Sequence, residues 1–371
     1  MTNFNGICYQ PFPPGYDPSS ANTTCIFFGS DIAYDPMAPI WGDAYTSSTG
    51  SSCDLSGPNK ARNDIQTLAG MGVQLIRLYD WEPRNNHLKF LNYCNDHNIK
   101  VLVPVSNYFV KPDQGLKDMN TLIPKLIDSF SNENKSDYHS AVAGIIIGNE
   151  PEVNGFSAQN CIDFTTAWAK IEDQQYSGYR EVQIGHPVDF GKYGGAYPCF
   201  GFWDPLLGAL NAVTTKNLNK RLFLAPQTYN GDDYLFVNAE SSGRGYVDLA
   251  YDKYQKPILF TEIGYGRSNA GYQTFVQGQI AGCITYHSQN PDKLIGICFF
   301  QFADKVWLDS GSSEATFGTF SHAGGTMCTI KYGDGDFTHW DHGSCNNDSM
   351  TVDTLSATPL HDIVVKNYKP D

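Results

Sequence analysis

A (β/α)8 barrel, the TIM-barrel form of the α/β class, is the fold this sequence predicts, and three observations predict it. Strand-length apolar runs alternate with longer amphipathic segments eight times along the chain. The runs are continuously apolar, as expected of parallel strands covered on both faces. No Gly-rich phosphate loop follows the first run, which weighs against a doubly wound sheet.

The elements follow in order. "FNGICYQPF", from Phe4, is the first strand, and "NKARNDIQTLAGMG", with Ile65, Leu68 and Ala69 on its apolar face, is the first helix. "VQLIRLYDW" (Val73 to Trp81) and "NNHLKFLNYCNDHN" make the second pair, and "KVLVPVSNYF" and "MNTLIPKLIDSFS" the third. "VAGIIIGNEP" leads to "CIDFTTAWAKIEDQQY", "EVQIGHPVDF" to "DPLLGALNAVTTKNLNK", and "RLFLAPQTYN" to "YLFVNAESSGRGYVDLAYDKYQ". "PILFTEIGYG" (Pro257 to Gly266) precedes "YQTFVQGQIAGCITYHSQ"; "KLIGICFFQFADKVW" is the eighth strand and "TPLHDIVVKNY" the last helix. Two segments depart from the pattern, a long loop over 13–57 and a tail loop over 308–350, both placed on the rim formed by the carboxyl ends of the strands. No repeat or low-complexity segment divides the chain, so residues 1–371 read as one domain.

Of the 371 residues 41% are hydrophobic and 17% charged, a globular composition able to bury a large core. The formal net charge of −14 sets the chain against nucleic acid and anionic membranes, both of which would repel it; a neutral or cationic ligand is favoured. With 22 Tyr, 22 Phe and 6 Trp the chain holds more aromatic rings than a core needs, and Tyr and Trp faces stack well on sugars. No run approaches the ~20 apolar residues of a membrane span. "MTNFNGICYQ" has no signal-peptide pattern, so either the chain stays inside a cell or a signal has been removed and Met1 added; a secreted monomer is the expectation, with the intracellular reading kept open. Cys8, Cys94, Cys161, Cys283 and Cys298 fall inside expected strands or helices as core residues, whereas Cys25 with Cys53 and Cys328 with Cys345 lie in loops and are the disulfide candidates. No zinc-type cysteine spacing occurs, and neither metal nor cofactor is expected.

In a barrel the chemistry belongs to the last residues of each strand. Those positions collect Tyr9 and Gln10; Arg77, Tyr79, Asp80 and Trp81; Ser106, Asn107 and Tyr108; Asn149 and Glu150; His186 and Asp189; Gln227 and Tyr229; Glu262 and Tyr265; and Gln301, Phe302, Lys305 and Trp307. Glu150 and Glu262 are the two glutamates that follow directly on strongly apolar strands, the fourth and the seventh. Two carboxyl groups facing one another are the machinery of glycoside cleavage, one protonating the leaving oxygen while the other attacks the anomeric carbon or activates water. Like charges at about 5–5.5 Å, the separation of the retaining mechanism, raise one pKa and keep that group protonated. A strand-end glutamate with a purely structural duty would instead need a dedicated partner. Asn149 suits a sugar 2-hydroxyl, or an ordinary Asn turn.

The paired endings "GNEP" and "FTEIGYG" resemble the signatures of the clan A retaining glycoside hydrolases. "GICYQP" followed by "DIQTLAGMGVQLIRLYDWEPRNNHLKFLNYCNDHNIKVLVPVS" is similar to the amino-terminal half of the β-1,3-glucan-active families 17 and 72. "FFQFADKVWLDSGSSEATFGTF" resembles the strand-eight region of family 17 endo-β-1,3-glucanases. The similarity runs from Gly6 to Phe320, omitting the loop over 13–57, the region of His186 and Tyr193 to Trp203, and the tail from His322. It implies a (β/α)8 barrel that cleaves β-glucan, with Glu150 as acid/base and Glu262 as nucleophile. It also implies Tyr229 as a hydrogen-bond donor to that nucleophile, Arg77 as its buried support, and Tyr9 and Gln10 on the donor side. Trp81, Tyr108, Phe302 and Trp307 are stacking candidates, each equally at home in the core. An endo-β-1,3-glucanase is the expected activity, a β-1,3-glucanosyltransferase uses the same residues, and a carbohydrate-binding barrel without turnover is the competing class. His186 with Asp189 and Glu150 as a metal site, and a calcium or other metal site among His322, His339 and His342 with Asp334, Asp336 and Asp341, are the weaker readings, and without a G-x-S-x-G elbow serine-hydrolase chemistry has no support.

Overall fold

The computed structural model describes residues 4–11, 31–42, 53, 62–112, 118–191, 194–306, 308, 312–332, 338–339, 343–344 and 348–369. Strands β1 (Asn5–Cys8), β2 (Leu75–Arg77), β3 (Lys100–Val105), β4 (Val142–Ile147), β5 (Gln183–Asp189), β6 (Leu222–Gln227), β7 (Ile258–Ile263) and β8 (Leu294–Phe299) form a closed barrel in sequence order. All eight pairings are parallel, and β1 closes the barrel against β8 through Gly6 opposite Cys298. The sequence-derived fold is therefore the observed one. Side chains sort by strand periodicity. Cys8, Leu75, Leu102, Ile146, Phe223, Ala225, Leu259 and Cys298 belong to a small cluster within the barrel, while Ile76, Ile145, Ile147, Leu224 and Phe260 join the larger layer beneath the helices.

The helices start where the chain offers caps. Asn63 Oδ1 accepts from the Gln66 N–H at the head of Asp64–Gly70, and Ser157 and Asn160 form a reciprocal capping box on Ala158–Gln175. The stretch expected as one helix over 234–255 is broken into Asp232–Phe236, a short turn at Ala239–Ser241, and Tyr246–Tyr254. Glu240 and Ser241 take positive φ, and a Cβ on Gly245 would stand 2.3 Å from the Phe236 backbone, so close approach at a glycine overrides the helical pattern.

Beyond the barrel, β9 (Phe320–Tyr332) pairs antiparallel with β12 (Asp348–Ala357), and β10 (Thr338–His339) with β11 (Gly343–Ser344). Cys53 is bonded to Cys328, which corrects the pairing of each with a cysteine of its own loop; Cys25 and Cys345 lie outside the described residues. The bond joins the loop after β1 to the tail after β8. Arg62 adds to it, pairing with Asp64 at 2.8 Å and with Asp353 of β12 at 3.3 Å, and Asp353 also meets His322 at 2.8 Å. His322 thus belongs to a structural ion pair. Its companions His342, Asp334, Asp336 and Asp341 lie outside the described residues.

Candidate active site

Arg77 ends β2 inside the barrel, fully buried, and is the post around which the mouth is organised. One of its guanidinium nitrogens donates to Glu262 Oε1 and another to Asn149 Oδ1. A buried guanidinium is tolerated only with partners of this kind. Tyr79 lies 3.9 Å from the same guanidinium and donates its hydroxyl to Glu262 Oε1 at 2.7 Å. Gln227, the last residue of β6, gives its Nε2 to both Asn149 Oδ1 (2.7 Å) and Glu262 Oε1 (2.6 Å). Tyr229 completes the set by donating to Glu262 Oε2 at 2.6 Å. The residue as a whole is 37% exposed, yet burial and then the Glu262 charge hold its hydroxyl pKa well above the ordinary value, so it stays a donor.

Glu262 reaches this position through a bulge. Strict alternation along β7 would send Glu262 outward with Ile258 and Phe260. Yet between the pairs Leu224–Ile258 and Gln227–Glu262, three steps of β6 match four of β7, and between Phe260–Ile297 and Ile263–Phe299, two steps of β8 match three of β7. The extra residue on both sides reverses the parity and turns Glu262 into the barrel.

Glu150 stands opposite, three residues past the end of β4. Asn149 links the two carboxyl groups: its Nδ2 donates to Glu150 Oε2 at 3.3 Å, while its Oδ1 shares the Arg77 and Gln227 donors with Glu262. Burial, and next the charge of Glu262, push the Glu150 pKa up to about 7; Arg77 pulls it down, and Asp189 and Glu314 add smaller upward pushes. A proton on Glu150 near neutrality and an Arg77-bound carboxyl at Glu262 make an arrangement able to do acid and nucleophile chemistry.

The structure divides the other sequence-derived residues. Asn107 accepts the Asn149 backbone N–H at 2.6 Å and so supports the site. Gln10, Asp80, Tyr108 and Tyr265 are half-buried near their strand ends, Tyr108 edge-on to Phe109 and Tyr265 packed 4.4 Å from Phe275. Lys305 reaches Glu314 at 3.3 Å and covers the Phe300 ring. Gln301 is buried, and among the described residues neither of its side-chain amide atoms has a hydrogen-bond partner. Four candidates leave the site. Tyr9 is fully buried and bonded to Asp64; Phe302 packs between Tyr9 and Phe320. Trp81 stacks on His87 and donates to Ser129 at 2.9 Å. His186 lies on the helix side of β5, 2.9 Å from Thr165, and burial pushes its pKa down to about 3, so it is a neutral core histidine. Trp307 lies outside the described residues. The residues that sequence reasoning missed are Phe300 and Phe317, whose rings pack edge-on against Tyr229 at 6.3 and 5.3 Å, and the acid Glu314, which acts on Glu150 together with the strand-end Asp189. Phe317 and Glu314 were within reach, since both lie in the "SSEATFGTF" run.

No protein-family model matches the sequence, and no curated protein sequence matches it. The fold, an all-parallel α/β barrel with its polar cluster at the strand carboxyl ends, does have solved relatives. A mutant of Saccharomyces cerevisiae Gas2p in complex with laminaritetraose and laminaripentaose is similar at a TM-score of 0.55 and 13% identity, covering 99% of this chain and 63% of that one. Ligand-free Gas2p, again a mutant, gives 0.56 at 14% identity, covering 99% and 60%, and Gas2p with laminaritriose and laminaritetraose 0.53 at 14%, covering 99% and 64%. This chain therefore spans somewhat under two thirds of the length of those it resembles, and the likeness is one of fold.

Proposed function

We propose that the protein is a retaining glycoside hydrolase acting on β-1,3-glucan, and the observation that carries the reading is the single network joining Glu150 to Glu262 through Asn149, Arg77 and Gln227. Glu150 gives its proton to the glycosidic oxygen as the Glu262 carboxylate attacks the anomeric carbon; the bond to the leaving sugar breaks and a glycosyl ester forms. Glu150, now a carboxylate, takes a proton from the incoming hydroxyl, whose oxygen displaces Glu262 and restores both groups. Tyr229, Tyr79, Gln227 and Arg77 hold the nucleophile still between the two displacements. The β-1,3 linkage is supported by the sequence resemblance and by the laminari-oligosaccharides bound in the similar barrels. A disulfide between the two rim segments supports an oxidising compartment such as the cell exterior, and among the described residues no helix is long and apolar enough to cross a membrane.

Incubation with laminaripentaose, lichenan, cellulose and mannan oligosaccharides, followed by proton NMR, tests this. The expected result is turnover of laminaripentaose with the β anomer appearing first. Products longer than the pentaose assign transfer to sugar instead of water. Binding without turnover would leave a carbohydrate-binding barrel, and an α anomer appearing first would remove the covalent intermediate.

A further inference from the structure

The acid stands on a backbone that has to be held. Glu150 has a φ of 47°, the left-handed region that an L-residue occupies only against steric resistance. Pro151 follows it, and a residue before proline is disfavoured in the right-handed helical region, so that escape is hindered as well. Two positions earlier the chain has already reversed at Gly148 (φ 69°), where a Cβ would lie 2.8 Å from the Phe156 ring and only glycine fits. Outward contacts fix one side of this turn, the Glu150 N–H donating to the Pro187 carbonyl at 3.0 Å and the Asn149 N–H to Asn107.

One half-buried residue fixes the other side. The Asn154 backbone N–H donates to the Glu150 carbonyl at 2.9 Å, and its Nδ2 donates to the carbonyls of both Asn149 (2.9 Å) and Glu150 (3.2 Å). All three bonds go to the backbone, and two successive carbonyls converge on one amide because the left-handed residue turns them to the same side. We propose that Asn154 is the positioning residue of the acid: its side-chain amide locks the left-handed turn that aims the Glu150 carboxyl at Asn149 and into the barrel mouth. The consequence for rate rests on the glycosidase reading; the consequence for geometry does not. The charged groups facing Glu150 are Glu262 on β7, Arg77 on β2, Asp189 at the end of β5 and Glu314, whereas the Asn154 amide reaches Glu150 through backbone carbonyls.

The test is a carboxyl-carbon NMR titration of the whole chain, with the Glu150 resonance assigned by Glu150→Gln, in wild type, Asn154→Ala and Asn154→Ser. Released from its turn, Glu150 meets water, and its midpoint falls by about one unit or more in Asn154→Ala. The serine variant, which keeps one donor, lies between. On laminaripentaose, kcat falls by about a hundredfold with KM little changed, and the alkaline limb of the rate profile moves down with the NMR midpoint. A folded Asn154→Ala with wild-type midpoint and wild-type profile overturns the proposal; if that variant does not fold, the same result in Asn154→Ser does so. A lowered midpoint in a protein whose wild type cleaves no glucan keeps the positioning and rejects the glycosidase.

Discussion

The Glu262 carboxyl lies within a strand and receives four hydrogen bonds, from Arg77, Tyr79, Gln227 and Tyr229, whereas the Glu150 carboxyl stands beyond its strand on a left-handed residue and, among the described residues, receives one, from Asn149 at 3.3 Å. The contrast teaches how one barrel mouth gives the same side chain two electrostatic settings, the division that the proposed mechanism uses. Donors aimed at a carboxylate stabilise and orient its charge; a carboxyl placed out of water with a single long bond keeps its proton.

The largest effect that breaks the symmetry comes from Glu262→Gln, which keeps an acceptor for Arg77 but no nucleophile. Turnover of laminaripentaose should fall by about 10⁴–10⁶, and changing the leaving group should not restore it. Glu150→Gln should lose about 10²–10⁴ on the oligosaccharide yet recover most of that on an aryl β-glucoside, whose leaving group needs no proton. Equal losses on both substrates would contradict the division of roles.

The second effect is on pH dependence. Glu150 is pushed from the ordinary glutamate value of 4.5 up to about 7, so kcat/KM should decline above about pH 7, and Glu150→Gln should lack that limb. Because the folded state holds this proton more tightly than the unfolded chain, the stability it contributes is complete below pH 4.5 and is lost as pH rises through about 7. Urea unfolding across that range should show a downward slope in wild type that is flattened in Glu150→Gln.

The smallest expected change sharpens the other half of the comparison. Tyr229→Phe removes one donor of four from Glu262 and should cost about tenfold in kcat, the rate equivalent of one hydrogen bond. The alkaline limb should stay in place, because Tyr229 does not donate to Glu150. A shift of that limb would mean the two carboxyl groups are less separately controlled than their hydrogen bonds indicate.

Much of this was legible in the chain. The eight apolar runs became the eight strands, and "GNEP" and "FTEIGYG" brought Glu150 and Glu262 to the same mouth, because strand order in a barrel follows sequence order. The aromatic candidates were less legible. Trp81 and Tyr9 come just after strand ends, where the chain is free to turn to either side, and both turned into the core. His186 was readable in principle, since alternation places it on the helix side of β5.

By itself, then, the sequence determined the architecture and which residues reach the carboxyl rim, because local periodicity and chain order carry that information. Tertiary structure decided which of those residues point inward. The extra residue in β7, the left-handed turn at Glu150 and the joining of Cys53 to Cys328 each arise from pairing or packing between segments far apart in the chain. No local pattern encodes the face a side chain takes when a neighbouring strand sets its register.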